Sequence, residues 1–204
     1  EQAKKKLMAP EAIDDPIIRE VYELYDLSLR SSNTIDFDDL LLLTYQLFTE
    51  RPKIADFYRR QYKYICIDEA QDLNEAQYQV IRALCGENYR NIMMVGDRNQ
   101  AIFGWNGADP KFMQLLKIDF NAQLIELTEN FRSSQKIVSL AQKLKPDYRV
   151  IGVLPIKGEV HLFQAKNEQE EAKLIVDYLK ILIDNGHQDI EGPVTLDRCA
   201  ILGR

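Results

Sequence analysis

The chain is expected to fold as an α/β protein built on a parallel sheet, and three observations lead there. Strand-like and helix-like segments alternate between residues 63 and 143, the pattern of a parallel sheet with helices packed on its faces. The apolar run Tyr64-Ile-Cys-Ile67 stops at two adjacent carboxylates, Asp68 and Glu69, with a third at Asp72. Open α/β sheets take their ligands at the carboxyl ends of the strands, so charge gathered at that edge points to chemistry. Finally, 46% of the 204 residues are hydrophobic and 28% are charged, the balance of a packed globular chain. That length holds one substantial core, or one domain and part of another.

The elements follow in order. Glu1-Gln-Ala-Lys-Lys-Lys-Leu-Met8 reads as the middle of a helix, as though cut from a longer protein. Residues 17–31 put Ile17, Val21, Leu24 and Leu27 or Ser28 on one stripe at helical period, and Ser31-Ser-Asn-Thr34 closes it. Asp36-Phe-Asp-Asp39 opens a second helix carrying Leu40, Leu41, Leu43 and Leu47. Its acidic first turn suits the positive end of the helix dipole. Residues 52–61 form a further short helix. Residues 63–67 are expected to be a strand buried on both faces, and 74–84 a helix with Ala76, Val80, Ile81 and Leu84 inward. A strand at 91–95, a helix at 110–116, a strand at 123–127 and a helix at 134–143 complete the alternation. From Lys145-Pro-Asp147 to Gly158 the chain is polar and carries no convincing element. Beyond it come a strand at 159–163, a long amphipathic helix at 168–183 stopped by Asn185-Gly-His187, and a strand at 199–202.

Several function classes are excluded or narrowed. No apolar stretch approaches the roughly 20 residues that cross a bilayer, and the first residues lack the apolar centre of a secretory signal. Cys66, Cys85 and Cys199 are widely spaced among apolar neighbours, which predicts reduced core thiols and a cytoplasmic protein. His161 and His187 are too isolated for a zinc site. A net charge of −6 argues against a broad electrostatic grip on nucleic acid. A narrow groove that stacks bases and uses a few local cations is compatible with it.

Three segments carry chemistry. At Asp68 and Glu69, one carboxylate can hold Mg²⁺ while the other takes a proton from an attacking water. The plainer reading makes them first-turn charges of the next helix, worth about 0.3–1 kcal/mol. In Val95-Gly-Asp-Arg-Asn-Gln100, the Gln100 amide can bond both water and a phosphate oxygen. Gly96, Gly104 and Gly107 permit tight backbone courses. Phe103 and Trp105 lie two apart, as a stacking platform or, for Trp105, as a core or interface anchor. In Asn130-Phe-Arg-Ser-Ser134, Arg132 either meets a phosphoryl group as positive charge or pairs at the surface with Glu126 or Glu129.

In order and spacing, these three segments resemble the motifs of superfamily 1 DNA helicases of the UvrD/Rep/PcrA type. The likeness extends over most of the chain. It implies that Asp68 handles Mg²⁺, Glu69 activates water, and Gln100 senses the terminal phosphate of ATP. By the same resemblance Arg132 contacts that phosphate and Phe131 lies near adenine. Phe103 and Trp105 lie near single-stranded DNA, with Asn106 beside them. Asp36-Phe-Asp-Asp-Leu40 resembles the segment that returns the chain from an inserted helical subdomain, 1B, to the first motor domain, 1A. One departure stands out: the family usually reads Trp-Arg-Gly-Ala where this chain has Trp105-Asn-Gly-Ala108, so a fixed cation is missing at Asn106.

The fold so implied is a partial P-loop NTPase, with a RecA-like motor domain, a helical 1B tail and the beginning of a second RecA-like domain. Residues 1–33 would be the 1B tail, 34–143 the later part of 1A, and 144–204 the opening of 2A. ATP and Mg²⁺ are the implied cofactors, and single-stranded DNA or a single-strand/duplex junction the partner, with no membrane. No glycine-rich loop ending in Gly-Lys-Ser or Gly-Lys-Thr occurs in the chain. The piece alone is therefore expected to be inactive, while its parent is an ATP-dependent helicase. Two alternatives stay open: a degenerate helicase-like domain kept for DNA binding or protein docking, and a part of an AddA/RecB-like helicase-nuclease.

Overall fold

The computed structural model describes residues 2–203, in which eight α-helices and four short strands form a mixed helix/sheet structure. The chain divides into two compact units, one reaching Leu124 and one starting at Ile125. The first contains α1 (Gln2–Lys5), α2 (Pro16–Ser31), α3 (Phe37–Glu50), α4 (Pro52–Gln61), β1 (Ile65–Ile67), α5 (Glu75–Cys85), β2 (Ile92–Met94) and α6 (Lys111–Asp119). The second contains β3 (Glu129–Asn130), α7 (Gln135–Leu144), β4 (Ile151–Gly152) and α8 (Glu168–Asn185).

Local chemistry explains most of the boundaries in the first unit. Asp15 caps α2 by accepting from the N–H groups of Ile17 (2.9 Å) and Ile18 (3.2 Å), with Pro16 at the first helical position. Asp36 and Asp39 form a reciprocal capping box at the start of α3, and Asn74 and Gln77 form another at α5. β1 and β2 pair in parallel, Ile65 to Ile92 and Ile67 to Met94, with α5 as the crossover between them. Beneath this β–α–β unit lies the core: Ala70, Leu73, Tyr78, Cys85, Tyr89, Phe112, Leu116 and Phe120. Tyr78 and Phe112 stack with ring centres 5.1 Å apart, and the Tyr78 hydroxyl donates to Asp119 on α6. Burial pushes the Cys85 thiol up to about 11, so this cysteine is an inert core residue.

A second, charged anchor was not legible in the sequence. Lys4 is 2% exposed, and its ammonium sits 2.6 Å from Asp39, 2.9 Å from Asp36 and 3.7 Å from Asp26. The Tyr25 ring centre lies 5.2 Å from the same nitrogen. Burial works against the charged ammonium, but the hydrogen bonds and charges of Asp39 and Asp36 outweigh it and raise its pKa. The acidic residues that open α3 therefore cap the helix and bind α1 to it.

The structure corrects several expectations. β1 is shorter than residues 63–67 and is not buried on both faces: Ile65 and Ile67 face the core, while Cys66 is exposed. Of the three thiols only Cys85 is buried. The stripe of α2 is real but uncovered, with Ile17, Val21, Leu24 and Leu27 at least 60% exposed. Residues 123–127 form no ladder; pairing begins at Glu129, opposite Ile151, in a segment whose polar composition hid a strand. Residues 159–163 and 199–202 are irregular, because no neighbouring strand meets their backbone. The helices fare better, except that α1 stops at Lys5 in a turn with Leu7 at φ +54° instead of running on through Met8; α8 ends at Asn185 with Gly186 at φ +70°, as the Asn-Gly stop predicts.

Candidate functional site

In the first unit, the two strand ends carry adjacent loops. The N–H of Val95 donates to Ile67 O (2.8 Å), and the N–H of Ala70 donates to Val95 O (2.9 Å), so the chain beyond β1 is sewn to the chain beyond β2. Between these two bonds Glu69 adopts a left-handed backbone, φ +47° and ψ +43°. Such a conformation costs a non-glycine residue about 1–3 kcal/mol and is characteristic of functional turns. Asp68 and Glu69 are both exposed, but their carboxylates have separate partners. Asp68 Oδ1 accepts from the N–H of Glu69 (2.9 Å), and Glu69 Oε2 accepts from Gln71 Nε2 (2.6 Å).

Gln71 is a site residue that the sequence reading passed over. It is 2% exposed and uses both ends of its amide: Nε2 donates to Glu69, and Oε1 accepts from the N–H of Asp97 (3.1 Å). Asp97 in turn accepts from the N–H of Asn99 through Oδ1 (2.9 Å) and from the Gln100 side chain through Oδ2 (3.1 Å). Glu69 and Gln100 thus belong to one hydrogen-bonded string across the parallel sheet edge. Gly96 makes the approach possible, because a Cβ there would lie 2.7 Å from Gln71 Oε1 and 3.0 Å from the backbone nitrogen of Ala70. A clue was available in the sequence: a glutamine among three carboxylates, Asp68, Glu69 and Asp72, just past a strand end is a poor choice for packing alone.

Asp72, the third carboxylate, is different. Its Oδ1 is buried with no hydrogen-bond partner among the described residues. No group of three metal-ligating side chains occurs among them either. A Mg²⁺ bound with a nucleotide needs only one or two protein carboxylates, since water and phosphate complete its shell. The exposed Asp68 carboxylate at the strand end fits that requirement.

Next along the chain, residues 103–107 turn back on themselves, with Gly107 at φ +86°, where a side chain would be strained. Gly104 has open space around its Cβ position and is not sterically required. Trp105 is 76% exposed, so it is not a core anchor, and Phe103 meets it edge-on with ring centres 6.3 Å apart. The cation missing at Asn106 is partly restored from elsewhere: Lys5 Nζ donates to Asn106 Oδ1 at 2.7 Å. The neighbouring Lys4 anchor holds α1 where Lys5 can do this.

In the second unit, Asn130 Oδ1 accepts from the N–H groups of Arg132 (2.9 Å) and Ser133 (2.7 Å), fixing the turn that leads into α7. Phe131 is 65% exposed and Arg132 is exposed. The surface pairing of Arg132 with Glu126 or Glu129 is not formed among the described residues.

Residues 1–121 match the profile of the UvrD/REP helicase N-terminal domain. DNA helicase II of Haemophilus influenzae is 33% identical over 190 residues, which cover 90% of this chain and 25% of that protein. ATP-dependent DNA helicase PcrA of Bacillus subtilis is 36% identical over 150 residues, covering 70% and 20%. ATP-dependent DNA helicase Rep of Salmonella typhimurium is 35% identical over 172 residues, covering 81% and 25%. The chain spans about a quarter of the length of these relatives. No described helix is long and apolar enough to cross a membrane. By its match over more than half its length, the chain belongs to the UvrD/REP helicase family.

Proposed function

We propose that the chain is part of an ATP-dependent DNA helicase or translocase that couples ATP hydrolysis to movement on single-stranded DNA. The observation that carries this reading is the string from Glu69 through Gln71 and Asp97 to Gln100 at the edge of a parallel sheet. It joins a carboxylate suited to proton transfer with an amide suited to a phosphate oxygen. Family membership supports it. Along the chain, residues 1–33 would be the 1B tail, 34–143 the later part of a RecA-like domain 1A and 144–204 the opening of 2A.

In this reading Glu69 takes a proton from water as the water oxygen bonds to the terminal phosphorus of ATP and the β-phosphate oxygen leaves with its electron pair. Asp68 would hold Mg²⁺, which when bound offsets phosphate charge. Gln100 accepts the role of phosphate sensor, and Arg132 supplies fixed positive charge for a phosphoryl group. Phe131 is assigned to the adenine ring. Trp105, with Phe103 beside it, stacks a base of single-stranded DNA, an interaction worth about 1–3 kcal/mol. Asn106, which accepts a hydrogen bond from Lys5, would give that base a polar, cationic edge.

The test uses DNA-stimulated ATPase and DNA binding by the full-length protein. Glu69→Gln is expected to lower kcat by two or more orders of magnitude while ATP still binds. Trp105→Ala is expected to weaken single-stranded DNA binding roughly tenfold or more and to spare basal nucleotide binding. Turnover by the 204-residue chain alone would refute its expected inactivity, and wild-type turnover by Glu69→Gln would refute the assignment.

A further inference from the structure

We infer that Gln71 is a positioning residue for hydrolysis, holding the Glu69 carboxylate in place and tying it to the loop that carries Gln100. The inference rests on the proposed role of Glu69 as the proton acceptor.

Burial and hydrogen bonding converge on it. Gln71 is almost wholly buried, at 2% exposure, although Glu69, two residues before it, is exposed. A buried primary amide is costly unless both its donor and its acceptor are used. Here the donor goes to Glu69 Oε2 at 2.6 Å and the acceptor to the Asp97 N–H at 3.1 Å. The bond to the carboxylate is charge-assisted and short, the kind strong enough to fix orientation.

The second end of the amide matters as much. Asp97 N–H belongs to the backbone that follows β2, and the Asp97 carboxylate holds the Gln100 side chain. A movement of that loop on loss of a phosphate therefore reaches Glu69 through one rigid amide. Backbone strain lies on the same path, since Glu69 is left-handed at φ +47° and its side chain is aimed by that turn. Gly96 completes the device: the 2.7 Å gap between its Cβ position and Gln71 Oε1 leaves no room for any side chain.

Glutamine is also the residue whose chemistry suits both partners. A glutamate there would keep the acceptor for Asp97 but set a second carboxylate against Glu69. A methionine would keep the volume and lose both bonds. Asparagine is one methylene too short to reach both.

Steady-state kinetics of DNA-stimulated ATPase in the full-length protein provide the test, with binding of a fluorescent ATP analogue as control for folding. Gln71→Met and Gln71→Glu are each expected to lower kcat at least tenfold with KM for ATP changed less than threefold, Gln71→Glu more severely. Gly96→Ala, which displaces the amide, is expected to act in the same direction. The decisive comparison repeats Gln71→Met in a Glu69→Gln background. A residue that acts only through Glu69 then costs less than a further twofold. An equal loss in both backgrounds would make Gln71 a packing residue and overturn the inference. So would a Gln71→Met kcat within twofold of wild type beside a Glu69→Gln variant that no longer turns over. If Glu69→Gln itself turns over normally, the role of Glu69 falls first, and that of Gln71 with it.

Discussion

The two units of the chain bury their apolar residues very differently. Up to Leu124, eight side chains close around the β1–α5–β2 crossover, and a buried lysine locks α1 to α3. From Ile125 onward only Val138 and Val194 are buried hydrophobics among the described residues, while Leu127 and Leu162 are 81% and 97% exposed. Burial of apolar area is the dominant favourable term in folding, roughly 25 cal/mol per Å². The first unit therefore supplies its own stability, and its carboxylates and hydrogen-bonded loops rest on a rigid base. The turn bearing Phe131 and Arg132 is held by local bonds from Asn130 instead.

The largest break in this contrast is expected from Lys4→Met. Removing the ammonium leaves Asp39, at 4% exposure, as an unpaired buried charge. Loss of one partner of a buried ion pair typically costs about 3–5 kcal/mol. Hydrogen exchange followed by mass spectrometry should show faster exchange in peptides from α3 and α1, with α8 unchanged. Equal acceleration of α8 would mean that the units do not keep separate stabilities.

A smaller effect is expected from acid. Burial disfavours the charged form of Asp36, but the Lys4 ammonium, the Asp39 N–H and the Tyr25 hydroxyl together outweigh it and hold its pKa below 3.8. A carboxyl depressed on folding contributes stability that is complete above its unfolded pKa and vanishes as pH falls through the folded one. The raised Lys4 contributes stability present below 10.5 and lost only as pH rises through its higher folded value. Protection of α3 should thus be level near neutrality and should fall below pH 3.8, with Asp36→Asn removing part of that acid limb. A wild-type acid limb in Asp36→Asn would place the sensitivity elsewhere.

The smallest effect is expected in the second unit. Leu162→Ser should alter local exchange by no more than about 0.5 kcal/mol, the usual range for exposed positions. A large loss would show that Leu162 is covered in the full-length protein and would narrow the difference between the units.

Legibility in the sequence followed the same division. Helices were readable because their signals are local: Asp15, Asp36 and Asn74 cap α2, α3 and α5 within three residues of the groups they serve. Strands were readable only where a neighbour exists. β1 and β2 fell inside the expected ranges, whereas residues 123–127, with equally good strand character, find no partner and β3 starts beyond them. Of the candidate site, Asp68, Glu69, Gln100 and Arg132 were visible as motif residues. Gln71 was not, since its importance lies in a backbone N–H 26 positions away.

By itself, then, the sequence determined most helix limits, those of α1 and α6 apart, the carboxylates at the strand end, the glycine under the Gln100 loop and the family. All of these are expressed within a few residues of chain. Only the tertiary structure decided that Lys4 is a buried anchor, that Lys5 brings a cation to Asn106, and that Gln71 joins two loops into one hydrogen-bonded string. Each depends on groups that only folding brings into contact, and the free energy of such contacts depends on burial and distance, neither of which is written in sequence spacing.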